Sequence, residues 1–161
     1  MMKHSFGKYR GQGGFTMIEI ISVLVIIAIV TAVVITRMAS TKDYDLAAQT
    51  EVVKTHLRLA QSRAMNSSQI WGINISGNTV YSLFNNGNTA NVVRLPSQNA
   101  DNVTLPAGMT ITTGIVSFDA WGKPYTDAAG TAAQSGERTL TLSKGGDSKT
   151  ISITQNTGYI P

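Results

Sequence analysis

The hydrophobic residues of this chain follow different patterns along its length. From Ile20 to Ile35 the sequence carries no charge, and only Ser22 and Thr31 interrupt the apolar run. Such a run predicts a helix that is apolar on every side. From Leu46 onward, apolar residues recur at spacings of three, four and seven, which predicts an amphipathic helix with one buried face. That face consists of Leu46, Val53, Leu57, Ala60 and Ala64.

Beyond Asn66 the pattern changes to short strands separated by turns. Apolar residues alternate over 71–75, a Ser-Gly-Asn turn follows, and a second strand-like run occupies 80–84, which together predict a hairpin. A last hairpin is predicted where Leu140 and Leu142 answer Ile151 and Ile153 across a tip at 144–147. Weaker strands are predicted at 92–95, 103–105, 109–112 and 115–118, and a polar surface loop at 126–136. Since such a sheet and the amphipathic helix can bury each other's apolar faces, the predicted fold is α+β.

Most of the net positive charge of the chain lies in its first fourteen residues, so the net charge is weak evidence for a nucleic-acid partner. The formal net charge is +4, from 13 basic and 9 acidic residues, but Lys3, Lys8 and Arg10 lie in the first fourteen residues. Without those three, 13 − 3 = 10 basic residues face 9 acidic ones. Lys144 and Lys149 near the last hairpin tip are the weak candidates for contact with DNA. No basic run is dense enough to predict binding to phosphates.

Few residues suggest catalytic or metal chemistry. The chain has no cysteine, which excludes disulfides and thiol catalysis. His4 and His56 stand far apart, so we expect His56 to be a solvated or partly packed helix residue and not a ligand. The acidic residues Asp119, Asp127 and Asp147 lie in separate loops without a calcium-binding pattern. We predict no metal, no cofactor and no enzyme activity.

The aromatic residues offer a choice between a binding surface and the interior. A surface for a carbohydrate or a protein partner is one interpretation, but aromatic residues in strands more often lie in the core or on a sheet face. We therefore predict a core or sheet-face position for them. They are Trp71, Tyr81, Trp121, Tyr125 and Tyr159.

The N-terminal apolar run is long enough to cross a membrane. Residues 15–36 supply 22 positions, and about 20 are needed. Basic residues precede the run, which predicts a cytoplasmic N-terminus and an extracytoplasmic head. A secretory signal peptide cleaved near Val30-Thr31-Ala32 is the alternative. It is less expected, because the apolar run continues past that site and contains Glu19.

Glu19 is the most informative residue of the run. A carboxylate in a membrane costs about 2.5–3.5 kcal/mol at the bilayer centre and is usually functional, although an acidic residue near the interface without a role is the alternative. If the chain were cut between Gly14 and Phe15, Glu19 would lie about 6 Å along the helix from the new amine. The amine of an adjacent, axially displaced subunit could neutralise Glu19.

The segment GGFTMIEIISVLVIIAIV, residues 13–30, resembles the cleavage and anchor motif of type IV pilins and type II secretion pseudopilins. The resemblance implies that a prepilin peptidase recognises Gly14, cleaves before Phe15 and methylates the new amine, while Glu19 guides the subunit into a filament. The segments SFDAWGKPY and TGYI are similar to the C-terminal part of GspH/FimT-type minor pilins and pseudopilins. Together these resemblances imply a pilin-like fold and a minor subunit.

The predicted organisation is a leader peptide at 1–14, a hydrophobic transmembrane or filament-core helix at 15–38, its amphipathic continuation at 39–66 and a β-rich head at 67–161. The implied partners are the prepilin peptidase, other pilins or pseudopilins and the inner-membrane assembly platform. The filament is a type IV pilus or a periplasmic type II secretion pseudopilus, which this subunit would help to initiate or cap. The alternative function is a membrane-anchored extracytoplasmic binding domain, such as an adhesin or a DNA- or carbohydrate-binding module, that never polymerises.

Overall fold

The structure of the chain is a computed structural model that describes residues 14–96 and 98–161, without the side chains of 34–44. Of the predicted leader 1–14, all but Gly14 lies outside the described residues. Helix α1 covers Met17–Ser67 and includes most of both predicted helical segments. The chain separates into two compact units, Met1–Ala39 and Ser40–Pro161.

The described part of the first unit consists of the start of α1 and the residues before it. Every residue from 14 to 33 is exposed. The polar interruptions do not change this apolar surface, because the Ser22 hydroxyl donates to the Ile18 carbonyl at 2.8 Å and the Thr31 hydroxyl to that of Ile27 at 2.7 Å. In the part of the chain that the structure describes, no helix is long and apolar enough to cross a membrane.

The second unit contains the C-terminal part of α1 and two antiparallel sheets. The larger sheet has the order β3-β2-β1-β6-β7, with β4 also pairing with β2, and the smaller sheet has the order β5-β8-β9. The strands are β1 Trp71–Ser76, β2 Val80–Asn85, β3 Asn88–Val93, β4 Asn102–Thr104, β5 Met109–Ile111, β6 Gly114–Phe118, β7 Pro124–Tyr125, β8 Arg138–Lys144 and β9 Asp147–Ile153.

The core of the second unit lies between α1 and the two sheets. All five apolar residues of the predicted helix face are buried: Leu46, Val53, Leu57, Ala60 and Ala64. They pack in one cluster with residues of both sheets, including Phe118 and Ile151. Each fully buried leucine, isoleucine, valine or phenylalanine side chain of this cluster contributes about 1.5–3 kcal/mol to folding. The predicted α+β fold is therefore confirmed.

The predicted hairpins are present, with registers that follow the apolar residues. Ile73 pairs with Leu83 across β1 and β2, and Leu140 pairs with Ile151 across β8 and β9. Strand β7 was not predicted, because it has only two residues and begins with proline, which cannot donate to a ladder. It pairs with the end of β6.

The prediction for the aromatic residues is correct only in part. Tyr81 is fully buried, and Trp71 and Tyr125 are half-buried. Trp121 and Tyr159 are exposed, by 87% and 62% respectively, so their predicted core or sheet-face position is wrong. Neither residue belongs to a strand: Trp121 lies in the turn between β6 and β7, and Tyr159 follows β9. The preference of aromatic residues for packed sheet surfaces therefore does not apply to them.

Candidate functional site

The predicted cleavage and assembly residues lie together at the start of α1. The Thr16 carbonyl accepts from the Ile20 amide at 3.3 Å, so Thr16 is the N-cap of the helix. The Glu19 amide donates to the Thr16 hydroxyl at 3.3 Å, and the Thr16 amide donates to the Glu19 carboxylate at 3.5 Å. Phe15 is 80% exposed immediately before this cap.

This reciprocal pair is a capping box, in which Thr16 and Glu19 satisfy amides that the first helical turn leaves without partners. The carboxylate also lies at the positive end of the helix dipole. Glu19 therefore has a function within its own chain in addition to the one predicted between subunits. We did not predict the role of Thr16, although Thr-x-x-Glu before an apolar run is a known signature of a capping box. The cleavage, methylation and pairing roles of Gly14, Phe15 and Glu19 stay predictions.

The second candidate region is the turn in the segment SFDAWGKPY, where Asp119 organises the chain between β6 and β7. One carboxylate oxygen of Asp119 accepts from the amides of Trp121 and Lys123, each at 2.9 Å. The other accepts from the Tyr125 hydroxyl at 3.0 Å. Burial, and after it the hydrogen bond to Asp119 and the negative charge of that carboxylate, raise the pKa of Tyr125 above its usual value. Asp119 therefore stabilises the turn in which it lies.

Gln61 of α1 joins this turn to the C-terminal segment. Its side-chain amide donates to the carbonyls of Gly122 at 3.0 Å and Thr157 at 2.9 Å. Gly122 and Gly158 are buried and have φ of +77° and +60°, a region that side chains disfavour. A β-carbon on Gly158 would collide with the Gly122 carbonyl oxygen, so only glycine allows the two backbones to approach this closely.

The signature segments of the head therefore have a structural role. Phe118 and Ile160, which belong to the two segments, are buried in the core. The Arg58 guanidinium donates twice to the Ile160 carbonyl, both at 3.2 Å, and so fastens the C-terminal segment to α1. We did not predict the contribution of Gln61 or Arg58, because their partners are 61 to 102 residues away in sequence.

His56 is buried, so the prediction that it is solvated or partly packed is wrong. Its Nδ1 lies 2.9 Å from the Tyr81 hydroxyl of β2. Burial lowers the pKa of His56 and raises the pKa of Tyr81. His56 also lines an open cavity of about 490 Å³ between α1 and the residues after β3. The other lining residues are Glu51, Val52, Thr55, Leu59, Pro96 and Gln98.

The acidic residues that were considered for calcium lie in separate places. Asp127 accepts from the Thr131 amide at 3.0 Å, the Thr131 hydroxyl at 2.7 Å and the Ala132 amide at 2.8 Å. Burial acts to raise the pKa of Asp127, but these hydrogen bonds together outweigh it and hold the pKa below its usual value. They also organise the predicted polar loop 126–136. Among the described residues, no three acidic, histidine or cysteine side chains converge to hold a metal.

Lys144, at the tip of the last hairpin, forms an intramolecular ion pair. Its ammonium group lies 2.9 Å from the Asp45 carboxylate of α1. This contact connects β8 with the helix. It gives no support to the weak prediction that Lys144 contacts DNA.

Known protein families match both the N-terminal region and the part of the chain that contains the Asp119 turn. Residues 9–35 match the prokaryotic N-terminal methylation motif, and residues 49–157 match type II transport protein GspH. No curated protein matches the chain in sequence. The fold is similar to crystal structures of the type IV minor pilin FimU from Pseudomonas aeruginosa. One shares 19% identity with a TM-score of 0.52, covering 75% of this chain and 90% of FimU. A second crystal form gives 18%, 0.50, 72% and 90% respectively.

The fold and the N-terminal motif define a pilin-type structural subunit, which is not an enzyme. The match over 49–157 extends across more than half of the chain, and the chain belongs to the GspH family. It is therefore a minor pilin or pseudopilin, as the sequence predicted.

Proposed function

We propose that this subunit is inserted in the bacterial inner membrane, cleaved between Gly14 and Phe15, methylated on the Phe15 amine and extracted into a filament. The prepilin peptidase performs the processing, and the inner-membrane assembly platform moves the subunit. In the filament it acts at low copy number to initiate or cap a type IV pilus or a type II secretion pseudopilus. The head stays on the extracytoplasmic side throughout.

One observation carries this proposal. From residue 17 to residue 33 the helix exposes every side chain, nearly all of them are apolar, and the single acidic residue of this stretch lies in the first turn. A helix that is apolar on every side requires lipid or other apolar helices around it. When the subunit leaves the lipid, the growing filament supplies the apolar helices that surround it.

The capping box suggests how Glu19 acts in this exchange. In the uncut chain its carboxylate interacts with the Thr16 amide. Cleavage before Phe15 creates a positive amine at the same end of the helix, where the carboxylates of neighbouring subunits can reach it. An ion pair in an apolar surrounding is far stronger than in water, and an unpaired charge there is strongly disfavoured. Glu19 would therefore favour the axial register in which each carboxylate meets a neighbour's amine.

The experiment separates the charge of Glu19 from its capping role. Glutamine at this helix position retains the capping box, so Glu19→Gln removes the charge alone, whereas Glu19→Ala removes both. We expect both variants to be cleaved before Phe15, and both to be recovered in sheared filaments at about a tenth of the wild-type amount or less. Glu51→Gln, which neutralises an exposed acidic residue of the same helix, is the matched control and should assemble normally.

The readouts are N-terminal sequencing of the mature subunit and immunoblotting of the filament fraction. Normal recovery of Glu19→Gln with poor recovery of Glu19→Ala would show that capping matters and that the proposed ion pair does not. A mature chain that begins near Val33, or that retains Met1, would contradict the processing. A correctly processed wild-type subunit that never enters filaments would favour the non-polymerising binding domain.

A further inference from the structure

The large apolar side chains that the second unit exposes most lie around one backbone contact. Among the described residues of that unit they are Trp121, exposed by 87%, Tyr159 by 62% and Met65 by 54%. The next ones, Val52 and Val92, are exposed by only 38% and 36%. Large exposed apolar groups that gather on a folded domain commonly mark an interaction surface.

The place they share is the backbone contact between Gly122 and Gly158. Trp121 directly precedes Gly122, and Tyr159 directly follows Gly158. A β-carbon on Gly122 would lie 3.2 Å from the sulfur of Met65, which places the methionine beside the same contact. We call Met65, Trp121 and Tyr159 the aromatic patch.

The backbone under the aromatic patch is held by hydrogen bonds. The Trp121 amide donates to the Asp119 carboxylate at 2.9 Å. The Tyr159 amide donates to the Thr154 hydroxyl at 2.8 Å, and the Tyr159 carbonyl accepts from the Thr154 amide at 3.0 Å. A side chain displayed from a fixed backbone loses less conformational entropy when a partner binds.

The chemistry of the aromatic patch and its rim favours a protein partner. Tryptophan, tyrosine and methionine are enriched at the centres of protein interfaces. Two basic residues lie next to the patch along the backbone: Lys123 follows Gly122 in the turn, with its ammonium 5.7 Å from the centre of the Tyr125 ring, and Arg58 donates to the carbonyl of Ile160, which follows Tyr159. Neither forms an ion pair with any other described residue. A partner with an apolar pocket bordered by carboxylates would match both the patch and this rim.

We infer that the aromatic patch binds the head of another filament subunit through an apolar pocket with an acidic border. This inference rests on the proposed function, since it requires the chain to enter a filament. We expect Trp121 to contribute most to the contact, because it is the largest and the most exposed of the three. The contact would determine which neighbour the head accepts, whereas the N-terminal helix supplies the packing common to all subunits.

The test is site-specific photo-crosslinking in the full-length protein, expressed in its native host. The photoreactive residue p-benzoylphenylalanine replaces Trp121 in one variant and Val92 in the matched control. Val92 lies on β3, at the opposite edge of the larger sheet from β7 and the Trp121 turn. We expect position 121 to form an adduct with a second subunit that carries an N-terminal methylation motif, identified by mass spectrometry, several times more often than position 92.

Two further variants examine the apolar and charged parts of the surface separately. Trp121→Ala should reduce recovery in sheared filaments about tenfold, while processing before Phe15 and the unfolding midpoint of the head stay at the wild-type values. Lys123→Glu should reduce the adduct at position 121 severalfold by placing a negative charge against the acidic border of the partner.

The outcomes distinguish this inference from the proposed function. If wild-type protein enters filaments but position 121 gives no adduct, or no more than position 92, the inference is wrong and the proposed function stands. An adduct with a saccharide alone would also overturn it. If the processed wild-type protein never enters filaments, the proposed function itself fails.

Discussion

The two described regions of this molecule use the same apolar residues for opposite purposes. In residues 14–33, isoleucine, valine and leucine are exposed all around the helix. In residues 45–161 the same residue types form one closed core between α1 and two sheets. The difference shows which apolar surface the chain buries by itself and which it leaves exposed.

The polar residues of the two regions differ in the same way. The hydroxyl groups of Ser22 and Thr31 donate to carbonyls of their own helix and are therefore not directed at a partner. In the head, Gln61 and Arg58 reach carbonyls far away in sequence. Polar groups therefore preserve the apolar surface of the first region and tie together the elements of the second.

The largest expected effect on stability comes from truncating a buried phenylalanine of the head, compared with an exposed phenylalanine of the N-terminal region. Phe118→Ala should lower the free energy of unfolding of the head by about 3–5 kcal/mol, because it leaves a cavity in the core. Phe15→Ala should leave it unchanged, since Phe15 is exposed. Denaturant unfolding of the full chain in detergent measures both, with the half-buried Trp71, which pairs with Phe118, as the fluorescent probe. Equal destabilisation by the two variants would contradict the separation between the regions.

A smaller effect tests the contact between Gly122 and Gly158. Gly158→Ala should lower the free energy of unfolding by about 2–4 kcal/mol, from backbone strain and from the collision with the Gly122 carbonyl. Gly77→Ala is the matched control, because Gly77 has a similar φ of +68° but open space around it. It should cost about 1 kcal/mol. If the two variants were equally stable, the close approach would have no energetic role.

The smallest effect concerns pH and distinguishes the second unit, which contains His56, from residues 14–33, which contain no histidine. Burial lowers the pKa of His56 below its usual 6.5, so below that pH the unfolded chain binds a proton that the folded chain does not. The stability contributed by His56 is present above pH 6.5 and is lost as the pH falls toward the lowered pKa. Tyr81, whose pKa burial raises, stays protonated throughout.

The measurement compares the wild-type protein with His56→Gln. We expect the stability advantage of the wild type to shrink between about pH 7.5 and about pH 5.5. The difference between the two proteins removes the contribution of the carboxylates, which titrate in both. A constant difference over this range would show that His56 is not buried in its neutral form.

Much of the fold could be predicted because its signals are local. The spacing from Leu46 to Ala64 identified the buried face of α1, and alternation located both hairpins. Trp121 and Tyr159 were misplaced because a turn can direct a tryptophan outward in spite of its general preference for packed surfaces. His56 was misjudged because its burial depends on Tyr81, which lies 25 residues away and on a different element.

By itself, the sequence determined the two apolar patterns of this protein, the N-terminal methylation motif and the GspH-type class, since these follow from residue types at short spacings. Only the tertiary structure decided what those residues contact. It brought the backbones of Gly122 and Gly158 together beside Gln61 of α1, and it left Trp121 exposed next to them. Such contacts depend on where the chain returns after long loops, and local spacing carries no information about that return.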